Sequence, residues 1–379
     1  MRTEQLARVL ENARELGVSD LIFAPGHPPL YKLGESVFST DHWLLELRDL
    51  EALVNYFFPA GTMERLVAMA RGRERPQEMM TAHSGTFSRY RVQLLWAQPN
   101  VSGSLGSLDR EEVVAEPVLV FRLIDLEPKP FEVLGLPMAL EEVVRKRMGL
   151  FLVVGPTDSG KTTTLAAMVE RINAEQPRFV MTVEEPIEYV FAPKKAFVVQ
   201  REVGRHVGEP ATAVLTALRS NVSVLVMGEV RNPREIEATL LAAETGHLVL
   251  ASLHAVSAVD AVERLVLALP PEKRELAFQV LSSVLLGVIA QRLVPVREGR
   301  KRVLAYELLL TTPEVRGALK EGNLAALEDL LREGRTPGLV SLERSLAELV
   351  RSGRVAFETA RAYVHRDADF TALFRGRGG

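Results

Sequence analysis

The chain opens with Leu6, Val9, Leu10 and Ala13 at helical spacing and Gly17 just beyond, a pattern that predicts one amphipathic helix with a glycine stop. SDLIFAP and PPLYKLG then read as short strands, and FSRYRVQLLW (Phe87 to Trp96) and VLVFRLI (Val118 to Ile124) as longer β-rich ones. Between the last two, the small and polar stretch NVSGSLGSLDREE predicts a long hairpin loop. Residues 1–125 are therefore expected to form an α+β domain. The three prolines and weak periodicity of DLEPKPFEVLGLP suit an interdomain linker over 126–137.

From residue 138 the pattern alternates strand and helix. LFLVV (Leu150 to Val154) is a continuous apolar run of the kind found in a buried parallel strand, and Leu165, Met168, Val169 and Ile172 share one face of the helix that follows Lys161. FVMTVEE, VSVLVMGE and HLVLASLH supply three more buried strands. Between the last two lies a predicted helix with Asn232 as N-cap, Pro233 at the first position, Glu235 at the third and Gly246 past its end. Residues 138–270 thus read as an α/β sheet domain. From 271 to 379 the pattern is mostly helical. Its most apolar stretch, AFQVLSSVLLGVIAQRLV (Ala277 to Val294), is interrupted by Gln279, Ser282, Ser283, Gln291 and Arg292, and predicts a buried core helix in preference to a membrane span.

Composition narrows the class. A chain of 379 residues exceeds the usual size of a single core, and 47% hydrophobic with 25% charged residues is ordinary for a soluble globular protein. A net charge of -3 supplies no general attraction to nucleic acid, and no basic strip interleaved with aromatics is present, so a nucleic-acid translocase is disfavoured. Without cysteine there is neither a disulfide nor a cysteine-ligated zinc, which fits a cytosolic address. The first residues lack the apolar core of a secretory signal.

The candidate chemistry begins at GPTDSGKTTTL. Gly155, Gly160, Lys161 and Thr162 satisfy G-x-x-x-x-G-K-[ST] after a predicted strand and at the start of a predicted helix. The glycines let backbone N–H groups turn toward phosphate oxygens, the helix N-terminus adds partial positive charge, Lys161 reaches the outer phosphates and the Thr162 hydroxyl ligates Mg²⁺. Hydrolysis also needs groups to hold the metal and orient water, and these belong at the C-terminal ends of neighbouring parallel strands. Glu184 and Glu185, Glu229 and His254 follow such strands. Singly, each reads more often as a solvated loop residue than as a catalyst.

In order along the chain, GVSDLIFAPGHPPL, GPTDSGKTTTLAAM, VEEPIEYVF, QREV, GEVRN and AAETGHLVLASLHAVSA resemble the type II/IV secretion and pilus ATPases, and within them the PilT-like retraction ATPases. The likeness continues through TTPEVRGALKEGN and SLERSLAELVRSGRV, covering nearly the whole chain. It implies a PAS-like N-terminal α+β domain joined to a RecA-like P-loop ATPase domain with a helical C-terminal region. It implies ATP and Mg²⁺ as cofactors, with Gly155, Pro156, Thr157, Asp158, Ser159, Gly160, Lys161, Thr162 and Thr163 wrapping the nucleotide and Thr162 and Glu229 supporting the metal. By the same resemblance Glu184 positions or deprotonates water, and His254 with His247 senses the phosphate state. Arg89, Arg91 and Arg122 correspond to arginines that the family sends to the nucleotide, although by themselves they read as an exposed strand face. The implied assembly is a cytoplasmic homo-hexamer, not itself inserted in the membrane, that drives an inner-membrane pilus platform protein, with a paralogous ATPase as a further partner.

The chain departs from the family pattern at several places. Asp158 stands for glycine, Glu185 for aspartate, and Asn221, Val222 and Ser223 for an Asp-Pro-Asp; Leu215, Ala255 and Asn232 also differ. A carboxylate beside triphosphate is repulsive unless it faces solvent or pairs with a cation, for example an arginine. Two readings follow: a working retraction motor, or a weakly active accessory paralogue that modulates another ATPase. The missing zinc module argues against the extension and secretion branch.

Overall fold

The computed structural model describes residues 3–16, 18–33, 36–65, 79–84, 89–97, 116–124, 127–298 and 301–375. Gly17, the expected hairpin loop within 98–115 and the last four residues lie outside that set. The chain divides into two units, Met1–Leu126 and Glu127–Gly379.

In the first unit, β1 (Asp20–Phe23), β2 (Leu30–Leu33), β3 (Ser36–Phe38), β4 (Met79–Ser84), β5 (Arg89–Ala97) and β6 (Glu116–Ile124) form one sheet in the order β3-β2-β1-β6-β5-β4. Each of its pairings is antiparallel. The helices Thr3–Glu15 and Leu47–Phe57 bury Val9, Ala13, Leu50, Leu53 and Val54 against Leu21, Phe23 and Phe121. The helical spacing in the first and the alternation in the strands both resolve into that one apolar layer.

The second unit is built on eight strands: β7 (Gly149–Val154), β8 (Phe179–Glu184), β9 (Phe197–Glu202), β10 (Val224–Met227), β11 (Leu248–Leu253), β12 (Leu285–Pro295), β13 (Arg302–Leu310) and β14 (Leu339–Val340). Their order is β14-β13-β12-β7-β11-β10-β8-β9. From β12 to β9 every pairing is parallel, and β13 and β14 add an antiparallel edge. Both faces are covered. Leu150, Leu152 and Val154 of β7 point into one core with the helices Pro233–Glu244, Ala258–Leu267 and Pro271–Val284, whereas Phe151 and Val153 point into another with the helix Lys161–Glu175. Apolar residues at every position of β7 follow from this double burial. The mixed α/β architecture, with an N-terminal unit, a RecA-like sheet and a helical C-terminal region, agrees with the expected fold class. Among the described residues no helix is long and apolar enough to cross a membrane.

One expected element is corrected. Ala277 to Val294 is not a single core helix: the helix ends at Val284, and the chain continues as β12, paired on one side with β7 and on the other with β13. A continuous apolar run suits a buried helix or a doubly covered strand equally, and here the backbone partners decide. Gly287 permits the pairing, since a Cβ there would lie 2.7 Å from the carbonyl oxygen of Leu309. β12 therefore stands directly beside the strand that carries the nucleotide loop.

Candidate nucleotide-binding and catalytic site

β7 runs into the loop 155–160, and the geometry of that loop depends on three residues with positive φ: Gly155 (152°), Asp158 (64°) and Gly160 (90°). At Gly155 a side chain is excluded twice, by the backbone angle and by the Gln291 carbonyl oxygen 2.7 Å from where its Cβ would be. Asp158 adopts the left-handed conformation that aspartate tolerates better than most residues. The helix Lys161–Glu175 starts without a side-chain cap, so its first N–H groups have no side-chain acceptor. Ser159 is buried and its hydroxyl has no hydrogen-bond partner. Uncapped amides, an orphaned buried hydroxyl and a lysine at one helix start suit an anionic, phosphate-bearing ligand.

Lys161 Nζ donates to the carbonyls of Gly155 (3.0 Å) and Pro156 (2.9 Å) and lies 3.5 Å from His254 Nδ1. Burial lowers the pKa of its ammonium, and the nearby Glu229 carboxylate works against that shift. Thr163 Oγ1 is 3.1 Å from the Tyr189 hydroxyl, and Thr162 beside it is half-buried. Pro156 and Thr157 are exposed. Asp158 does not fill the cradle: its Oδ2 accepts from Arg302 Nη1 at 2.7 Å, and 61% of its side chain is exposed. Such an exposed pair is worth about 1 kcal/mol at most, yet it gives the departing carboxylate a counter-ion at the start of β13.

The strand-end groups stand on the same rim of the sheet. Gly228 lets the end of β10 approach the end of β8, because a Cβ there would come within 3.2 Å of Val183 O and 3.3 Å of Glu184 Cα. Glu184 Oε1 accepts from Thr182 Oγ1 (2.6 Å) and Gln200 Nε2 (3.1 Å). Burial raises its pKa, opposed by those two hydrogen bonds. Glu229 is held at both oxygens, by His254 Nε2 (2.9 Å) and by Arg231 Nη2 (2.8 Å). Arg231 reaches on to Glu185 at 2.6 Å. A connected network thus runs from Glu185 through Arg231, Glu229 and His254 to Lys161.

Arg231, Thr182, Gln200 and Arg302 were not singled out from the sequence as site residues. For Arg231 and Gln200 a signal existed, in GEVRN and QREV; for Arg302 none did, because its partner lies 144 positions away.

His247 requires a correction. It precedes β11 whereas His254 follows it, so the two stand on opposite rims, separated by roughly 20 Å of extended strand. His247 is engaged locally: its carbonyl accepts from Gly149 N (3.0 Å), and its Nδ1 lies 3.1 Å from Ala242 O. Arg89, Arg91 and Arg122 belong to the N-terminal unit, where Arg91 stands opposite Arg122 and Arg89 opposite Ile124 in the β5–β6 ladder. Arg122 Nε donates to the buried Asp20 at 2.9 Å.

The chemistry of the donors present is that of a hard divalent cation with few protein ligands. Thr162 and Glu229 carry the oxygen types such an ion takes, with both Glu229 oxygens bound by His254 and Arg231, and among the described residues no group of three or more acidic, histidine or cysteine side chains could hold a metal ion by itself. Mg²⁺ takes most of its shell from phosphate oxygens and water, so few protein donors are needed.

The sequence pattern of the type II/IV secretion system protein family matches residues 114–361. The "Twitching motility protein" of Neisseria gonorrhoeae is 39% identical over 245 residues, which is 65% of this chain and 66% of that protein. "Type IV pilus ATPase PilU" of Pseudomonas aeruginosa is 28% identical over 382 residues, covering 99% of this chain and 92% of that one. Among solved structures, the pilus retraction motor PilT with bound ADP superposes with a TM-score of 0.80 at 32% identity, over 95% of this chain and 97% of that chain. A family pattern spanning most of the chain, joined to a near full-length likeness to a nucleotide-bound motor, settles the assignment: the chain belongs to the type II/IV secretion system protein family and is an ATP-hydrolysing enzyme.

Proposed function

We propose that this ATPase powers retraction of a type IV pilus, working as a homo-hexamer at the cytoplasmic face of the inner membrane on a membrane-embedded platform protein. The observation that carries the catalytic part is the meeting of Glu184, Glu229 and His254 with Lys161 on one rim of the parallel sheet. The loop amides, Ser159 and Lys161 hold the triphosphate. Thr162 and Glu229 would hold Mg²⁺, whose contribution when bound is to neutralise charge on the transferring phosphate.

Glu184 serves as the base that orients and deprotonates water, since burial raises its proton affinity above that of a free carboxylate. Thr182 and Gln200 fix its carboxylate plane. His254, in contact with both Glu229 and Lys161, reports the phosphate state to the strand ends.

The second reading, a weakly active accessory paralogue, is favoured by Asp158, a carboxylate within the nucleotide loop. The Asp158–Arg302 pair supports the motor instead, because it balances the charge that would oppose ATP. Turnover by the purified chain and by Lys161→Ala, Glu184→Gln and Asp158→Gly decides between them. The motor reading expects wild-type turnover well above the Lys161 and Glu184 variants and only modest change in the Asp158 variant. No wild-type turnover above the lysine variant, with a gain on Asp158→Gly, would favour the accessory role. Twitching by cells carrying the same variants tests the pilus assignment.

A further inference from the structure

β12 carries two polar residues in an otherwise apolar strand, and both bond toward the nucleotide rim. Gln291 is wholly buried and donates Nε2 to Thr164 Oγ1 at 2.7 Å, in the first turn of the nucleotide-loop helix. Its backbone carbonyl oxygen stands 2.7 Å from where a Cβ on Gly155 would be. Arg292, the next residue, donates Nη1 to that same carbonyl (3.2 Å) and Nη2 to Val256 O (2.9 Å). Val256 lies two residues past His254, in a segment, 254–257, that has no helix or strand structure.

We propose that Arg292 is a positioning residue for the ATPase reaction: by holding Val256 it sets where His254 stands against Glu229 and Lys161, so that one strand references both the phosphate loop and the histidine loop. The inference rests on the role given above to His254. Left to itself, a short irregular segment samples many backbone conformations, and a charged donor on one of its carbonyls removes much of that freedom. Arg292 is half-buried, which lowers the pKa of its guanidinium, and the Glu307 carboxylate on β13 opposes that shift.

The segment has two further anchors that Arg292 does not itself make. Val256 N donates to Asp260 Oδ2 (2.7 Å) and Ala258 N to Glu307 Oε1 (2.7 Å), so the helix Ala258–Leu267 is expected to keep its start when Arg292 is replaced. The loss is then confined to the carbonyl side of the loop, next to His254.

Steady-state ATP turnover of the full chain is compared for wild type, Arg292→Met, Arg292→Lys, His254→Gln and the Arg292→Met/His254→Gln double variant, each with its melting temperature. Arg292→Met is expected to lower kcat about tenfold with KM for ATP within about twofold of wild type. Arg292→Lys, which can reach one carbonyl, recovers most of the loss. The double variant turns over within about twofold of His254→Gln alone, because residues that act through one another are not additive.

Should the methionine variant melt far below wild type, Arg292→Gln, which removes charge and keeps a donor, takes its place in the same cycle. Independent, multiplicative losses in the double variant overturn the proposal, and so does wild-type kcat in Arg292→Met when His254→Gln is impaired. Wild-type turnover by His254→Gln overturns both the histidine reading and this one, which separates the two failures.

Discussion

Glu307→Gln gives the most quantitative test of how the second unit is held together. Glu307 sits on β13 with 8% of its surface exposed and accepts from Ala258 N. Burial pushes its pKa from 4.5 up to about 7, the backbone hydrogen bond from Ala258 opposes the shift, Glu343 reinforces it, and Arg366 and Arg292 oppose it. Other ionisable side chains lining the same cavity are Glu328, Arg332 and His365.

A folded-state pKa above the unfolded value means that the folded chain binds more protons between the two. Stability from this group is therefore fully present below about pH 4.5 and is lost as pH rises to about 7, after which it is level. The span from 4.5 to about 7 corresponds to about 3 kcal/mol at 1.36 kcal/mol per pH step. Glutamine keeps an acceptor for Ala258 and has no charge to bury. Urea unfolding of wild type and variant at pH 5, 6, 7 and 8 isolates the group by difference, since the remaining titrations are common to both. The variant is expected to gain on wild type between pH 5 and 7 and little more from 7 to 8, by about 2 to 3 kcal/mol in all. A difference that does not change with pH, or one that moves the other way, refutes the argument that Glu307 is charged at a cost.

Glu184→Gln should lower kcat by about 10²- to 10⁴-fold with KM little changed, and the acid limb of the wild-type rate profile should lie above the usual carboxylate range because burial raises the Glu184 pKa. Arg302→Met should shift stability by less than about 1 kcal/mol, as expected for an exposed pair, yet raise KM for ATP by freeing the Asp158 charge. Adding Asp158→Asn to Arg302→Met should bring KM back, and equal KM values in the two variants would count against the pairing argument. Gly155→Ala should abolish nucleotide binding in an equilibrium titration, because its Cβ meets the Gln291 carbonyl at 2.7 Å and its φ of 152° is strained for alanine. Normal binding by that variant would show that the loop relaxes freely.

Much of this protein is set by residues close to one another in sequence. The glycines and lysine of the nucleotide loop, the Asn232 cap with Pro233 and Glu235, the helical stripe from Leu165 to Ile172 and the apolar run at Leu150 to Val154 each act through contacts within a few positions, so the chain alone determined those elements and the class of ligand. That Asp158 could adopt a left-handed backbone was equally a local property.

The tertiary structure alone decided which elements became neighbours. Ala277 to Val294 could fold as helix or strand by its own pattern, and only pairing with β7 and β13 turned its second half into the strand that backs the loop. His247 and His254 read as companions in one motif, but strand direction sends them to opposite rims. The partner of Asp158 is 144 positions away, and that of Gln291 is 127 positions away. Backbone hydrogen bonds and shared burial specify such meetings, and neither leaves a periodic trace in a single chain.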